Sequence, residues 1–136
     1  MKSCRCHIII LMVLALVACT TQSPVAVDCP EIGSGCKLEG LTISTSHPPQ
    51  VMQPFGLVLQ WDGSEAAGIG EVYASFAMEG MEMSLNRYRL MKNADGLWRA
   101  EITLPLCVRG RADWLMQIDA RTRFGSRQYL LRFYTD

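Results

Sequence analysis

The sequence predicts an all-β domain, an antiparallel immunoglobulin-like β-sandwich of about seven strands, on three observations. Apolar residues recur at every second position through several short runs, turn-forming residues separate those runs, and no long segment carries a 3.6-residue amphipathic period. LTISTS, residues 41–46, alternates and is rich in β-branched residues; FGLVLQW, residues 55–61, places Phe55, Leu57, Leu59 and Trp61 on one face. EVYASFAM does the same with Val72, Ala74, Phe76 and Met78, and RYRLM, LWRAEITL, WLMQIDA and QYLLRFY complete the set. The divisions fall at His47-Pro48-Pro49, Asp62-Gly63, Asn93-Ala94-Asp95-Gly96, Arg109-Gly110 and Phe124-Gly125, where Pro pre-sets φ and Gly, Asn and Asp tolerate turn geometry. About seven short strands in roughly a hundred residues suit a two-sheet sandwich. A small open barrel is the alternative closure of the same strands. Trp61, Trp98 and Trp114 fall within strand patterns and are expected to be core or half-buried anchors.

The first nineteen residues, MKSCRCHIIILMVLALVAC, differ in kind. Lys2 and Arg5 supply a positive start, and Ile8 to Val17 is uninterruptedly apolar but shorter than the roughly 20 residues a membrane-spanning helix needs. That combination is the layout of an export signal. The end Leu16-Val17-Ala18-Cys19 resembles the lipobox of bacterial lipoproteins, which implies cleavage after residue 18, acylation of Cys19 and a lipid-anchored protein in the cell envelope facing the periplasm. Thr20 stands where lipoproteins retained in the inner membrane of many Gram-negative bacteria carry Asp, which favours the outer membrane. Residues 20–35, TTQSPVAVDCPEIGSG, have no regular period and read as a tether. The expected organisation is therefore a signal peptide at 1–18, a lipidated tether at 19–36 and a β-sandwich at 37–136.

Composition narrows the function classes. The chain has 13 Lys and Arg against 13 Asp and Glu; losing Lys2 and Arg5 with the signal leaves 11 against 13, which gives no general attraction to nucleic acid or anionic lipid. The charges are segregated along the chain. Between Cys19 and Met83 the only base is Lys37, against eight acids, whereas from Ser84 onward ten bases face five acids. A two-signed surface and an envelope protein partner are one reading of that split, and strands that mix both signs in space are the other. Asn86-Arg87-Tyr88-Arg89 reads as a solvated strand face. Enzyme chemistry finds no support. His47 is the only histidine after the signal, and the chain lacks H-E-x-x-H, G-x-S-x-G, a phosphate-binding glycine loop and C-x-x-C.

With Cys19 acylated, Cys29, Cys36 and Cys107 remain in an oxidising compartment, enough for one disulfide and one leftover thiol. Cys29 with Cys36 would close a small loop, and Cys36 with Cys107 would staple the chain entry to a late loop. A bridge including Cys107 is expected, because tying distant segments constrains the unfolded chain more. The leftover thiol is open to being free, paired with another chain or metal-binding. Cys4 and Cys6 lie in the discarded segment and are given no function.

The segment with chemical potential is Phe76-Ala77-Met78-Glu79-Gly80-Met81-Glu82-Met83. Gly80 permits the positive φ of a sharp turn, which would set Met78 and Met81 close together, with Met83 on the same face as Met81. Three thioethers meeting there would form a soft, neutral site selective for Cu(I), with Glu79 and Glu82 as flanking carboxylates. Flexible core filling is the ordinary use of methionine and the competing reading.

The string M-x-G-M-x-M, a following basic strand, Gly96-Leu97-Trp98, Leu104-Pro105 and Trp114 together resemble the FixH-like and YtkA-like domains of bacterial envelopes, from about Leu38 to Phe133. The resemblance implies a β-sandwich associated with copper handling around respiratory oxidase assembly. It carries Met78, Met81 and Met83 over as metal ligands and assigns nothing to Cys107, which is then a structural cysteine. Some members of that family have a transmembrane anchor, which a lipid would replace here. The combined expectation is a lipid-anchored domain that binds Cu(I) or assists a partner that does. Its rival is a metal-free structural or protein-interaction lipoprotein whose methionines are core.

Overall fold

Each of the seven runs forms a strand in the computed structural model, which describes residues 24–81 and 86–136. They are β3 (Leu41–Thr45), β4 (Phe55–Trp61), β5 (Ile69–Ala77), β6 (Arg87–Lys92), β7 (Trp98–Ile102), β8 (Asp113–Thr122) and β9 (Gly125–Tyr134). Two more, β1 (Val27–Asp28) and β2 (Cys36–Leu38), precede them, and short 3-10 turns occupy Ile32–Ser34 and Gly63–Ala66. The period-2 logic holds residue by residue. In β3 the buried side chains are Leu41, Ile43 and Thr45, and they stand opposite Trp61, Leu59 and Leu57 of β4. Along β8, Trp114, Met116 and Ile118 face Phe133, Leu131 and Tyr129 of β9, so each inward pair excludes water jointly. All three tryptophans are buried, as their strand positions imply.

The all-β class stands, but the closure differs from the expected sandwich. The strands form one sheet in the order β1-β9-β8-β5-β6-β7-β4-β3-β2. A sandwich needs two separate sheets; here β6 joins them. Its residues Arg87 to Leu90 pair with β5, and Met91 and Lys92 pair with β7. The sheet curls about that strand into a nearly closed barrel, which brings β4 against β9. Trp61 of β4 donates its indole N–H to the Tyr129 hydroxyl of β9 at 3.2 Å, and the two rings meet edge to face 6.3 Å apart.

The barrel's open seam lies between its two edge strands, β1 and β2; β1 comes from the segment expected to be a tether, and β2 begins at its last residue, Cys36. From Val27 onward that segment is part of the domain. Val27 and Asp28 pair in parallel with Leu131 and Arg132 of β9, the Cys29 amide donates to the Arg132 carbonyl at 2.8 Å, and Cys29 and Ile32 are buried. A Cys29–Cys36 disulfide, with Cα atoms 6.1 Å apart, then clasps one edge to the other. Edges of two and three residues leave little backbone open to pairing with another chain.

The registers place the connections at two ends. One end, the hairpin end, carries Glu39-Gly40, residues 62–68, residues 93–97 and the β8–β9 tip at Arg123-Phe124. The other carries residues 46–54, the turn after β5 and residues 103–112.

Candidate functional site

Met78 follows directly on β5, and the next two residues reverse the chain. The Met81 amide donates to the Met78 carbonyl at 3.1 Å, and Met78 and Met81 form an antiparallel bridge around Glu79-Gly80. Gly80 takes φ +72°; a Cβ there would meet nothing, so glycine is required by backbone conformation rather than by space. Residues opposed in an antiparallel bridge share a face, so both thioethers lie on the same side of this turn. Their environments differ. Met78 is 2% exposed and belongs to the core, whereas Met81 is half-buried against it.

The third sulfur that the structure places here is Cys107. The expected disulfide through Cys107 is not formed: Cys29 pairs with Cys36, and Cys107 is a free, buried thiol. The length of loop closed in the unfolded chain does not decide pairing when native geometry brings other partners together. The edge strands bring Cys29 to Cys36 at the seam, while the loop after β7 carries Cys107 to the methionine turn. Its Sγ lies 3.9 Å from Met81 Sδ, within reach of a weak S–H···S hydrogen bond. A turn closed by the Gly110 amide on the Cys107 carbonyl at 3.0 Å holds the cysteine in place.

The rim is apolar. The Met52 amide donates to the Leu104 carbonyl at 2.8 Å, which ties the β3–β4 loop to the loop bearing Cys107, and Met52, Leu106 and Val108 are all exposed. Charge stands to one side. Arg111 donates through Nε to Asp113 Oδ1 at 2.8 Å and through Nη1 to the Glu79 carbonyl at 2.7 Å. The Arg111 hydrogen bond holds the Asp113 carboxyl below the usual carboxylate range, and the same bond raises Arg111 above its ordinary value. Glu79, one of the two expected flanking carboxylates, is engaged by Arg132 at 3.2 Å. Arg132 also holds Asp28 at 3.1 Å, and that bond is the main reason its guanidinium is raised in turn. Cys19, Glu82 and Met83 lie outside the described residues.

Among the described residues no group of three or more His, Cys, Asp or Glu side chains could hold a metal ion. The donors that converge at the methionine turn are a thioether and a thiol. His47 stays local: its ring nitrogens lie 3.1 and 3.2 Å from the Pro48 and Pro54 carbonyls, and its ring packs edge-on to Phe55. The Arg87–Arg89 stretch is the expected solvated face, with Arg87 paired to Asp119 and Arg89 to Glu71, each at 3.5 Å. Arg87 also lies over the Tyr73 ring at 4.4 Å. Among the described residues no helix is long and apolar enough to cross a membrane.

Sequence reasoning missed Cys107 as a neighbour of the methionine turn, and Met52 as part of the same end of the barrel. The signal available for Cys107 was arithmetic, since three cysteines leave one unpaired. Nothing in the spacing pointed to Met52.

No family model matches the chain, and no curated protein matches it. Among solved structures, an engineered protein from the Northeast Structural Genomics Consortium is similar over 69% of this chain, at 14% sequence identity and a TM-score of 0.48. The matched region spans 20% of that protein's length.

Proposed function

We propose that this is a lipid-anchored envelope protein that binds Cu(I) at the sulfur-bearing end of the barrel and takes part in copper handling, including delivery to a respiratory partner. The observation that supports it is the 3.9 Å approach of Cys107 Sγ to Met81 Sδ beside the Met78–Met81 turn. Thiolate and thioether are both soft donors suited to Cu(I); the thiolate also accepts Zn(II), so selectivity against zinc in this pair rests on the thioether and on the lack of further zinc ligands beside it among the described residues. In this reading Met81 and Cys107 are the principal ligands, Met78 supports the turn from the core, and Met83 is a further candidate. The buried thiol is the change from a methionine-only site. A thioether has no proton to lose, whereas a thiol must release one to bind metal.

Titration of the mature chain with Cu(I) in ascorbate, which leaves the Cys29–Cys36 disulfide intact, tests this. One ion should bind per chain, Zn(II) should compete poorly, and Met81→Leu and Cys107→Ala should each weaken binding by about tenfold or more. The logarithm of the affinity should rise with pH with a slope of about one while the thiol is protonated, and lose that slope in Cys107→Ala. Unchanged affinity in both variants would remove the site. A wild-type chain that binds no Cu(I) would leave the metal-free interaction lipoprotein, for which the core position of Met78 and the exposed Leu106 and Val108 are the favouring observations.

A further inference from the structure

We propose that the hairpin end of the barrel is a membrane-contact surface, in which Phe124 enters the lipid interface and Arg123 meets anionic head groups. The inference rests on the lipid-anchor reading, but it concerns orientation, which an anchor alone does not fix. The first observation is chain direction. β1 is parallel to β9, and β9 runs away from the β8–β9 tip, so the chain reaches β1 from the hairpin end. Pro24 and Val25 accordingly line a groove with Gln128, Tyr129 and Leu130, on the tip side of the β1 pairing. Four residues lie between Cys19 and Pro24, and the five steps this makes, at about 3.3–3.6 Å per extended residue, span at most about 18 Å. A lipid on Cys19 would therefore hold this end close to the bilayer and the sulfur-bearing end away from it.

The second observation is what the tip exposes. Phe124 is 91% exposed, which is costly in water for a side chain of that size and favourable at a lipid interface. Arg123 lies 5.6 Å over its ring and makes no ion pair among the described residues. The neighbouring Arg121 and Arg127 are paired with Glu71 and Glu65, so Arg123 supplies the free positive charge of the tip. Val25, 85% exposed, adds apolar surface where the anchor segment emerges. An exposed aromatic beside an arginine without an ion pair among the described residues, at the end of the barrel from which the anchor segment emerges, fits an anionic bilayer surface.

The test uses the acylated mature protein on vesicles of phosphatidylethanolamine with a minority of phosphatidylglycerol, containing lipids brominated near the head group. Phe124→Trp and Val108→Trp place an exposed indole at opposite ends, above the background of three buried tryptophans. Trp at 124 should be quenched at least about twofold more than Trp at 108, because interfacial side chains lie roughly 5–10 Å into the head-group and acyl boundary. Adding Arg123→Glu to Phe124→Trp should reduce that quenching. Equal quenching at both positions on vesicle-bound, acylated protein would overturn the orientation and leave the anchor standing. Mass spectrometry showing an unmodified Cys19 would overturn both.

Discussion

The two ends of the barrel are built from different chemistry. At the hairpin end the turns other than the β8–β9 tip are polar and charge-compensated: Lys37 pairs with Asp62 at 2.8 Å, Arg127 with Glu65, and Arg99 with Asp95 at 2.7 Å, while the tip itself exposes Phe124 beside Arg123. At the other end the prominent side chains are Met52, Met81, Leu106, Cys107 and Val108, with Arg111 and Asp113 to one side. The strands alternate alike toward both ends, so the difference lies in the connections. Stability resides in a common core, and the loops that cap it divide the surface into a charged end and a soft, apolar end.

Truncating one residue at each end should produce very unequal losses of stability. Met78 lies within the core, so Met78→Ala leaves a cavity and should cost about 2–5 kcal/mol, read as a lowered denaturant midpoint at unchanged slope. Phe124→Ala removes a larger but exposed side chain and should fall within about 0.5 kcal/mol of the parent. Comparable losses would mean that the tip is packed and that the ends do not differ as described. Met78→Leu conserves volume and should cost under about 1.5 kcal/mol, which separates loss of packing from loss of sulfur.

A somewhat smaller effect is expected at the seam. Replacing Cys29 and Cys36 together with Ala removes the covalent clasp between β1 and β2, at a cost of about 2–4 kcal/mol. The loss should concentrate locally, with hydrogen exchange accelerated first at Cys29, whose amide is bonded to Arg132, and in β2. The β8–β9 pair, bonded along its whole length, should stay protected until global unfolding. Uniform acceleration would mean that the clasp holds the whole barrel rather than its seam.

The seven longer strands were legible because each has enough residues to display a period of two, as Phe55, Leu57, Leu59 and Trp61 do. β1 and β2 were not, since two or three residues cannot establish alternation, and their Pro, Gly and Ser neighbours read as a tether. Barrel against sandwich turned on where β6 pairs, with β5 through Leu90 and with β7 from Met91; RYRLM encodes a strand but not its division between neighbours. The Met78–Met81 turn was readable from Gly80. The approach of Cys107 to Met81 was not, because 26 residues separate them and the register between strands sets their distance.

The smallest effect concerns pH, and it too has one representative at each end. At the hairpin end the Asp95 carboxyl is held below its ordinary range first by the Leu97 amide, at 3.0 Å, and then by Arg99; at the sulfur end Arg111 does the same for Asp113. A carboxyl whose folded-state value is depressed below an unfolded value of about 3.9 contributes stability that is fully present above that value and is lost as pH falls through the folded one. Both groups are solvent-accessible, so salt and water screen the contribution and each should be modest. Thermal midpoints of the parent should therefore fall more steeply with acidification below about pH 4 than those of Asp95→Asn or Asp113→Asn. Added salt should flatten the parent curve less at Asp95, whose largest contribution is a hydrogen bond from a neutral backbone amide, than at Asp113, whose largest comes from a charged guanidinium. Acid sensitivity that is unchanged in both variants would place the titrating groups elsewhere in the barrel.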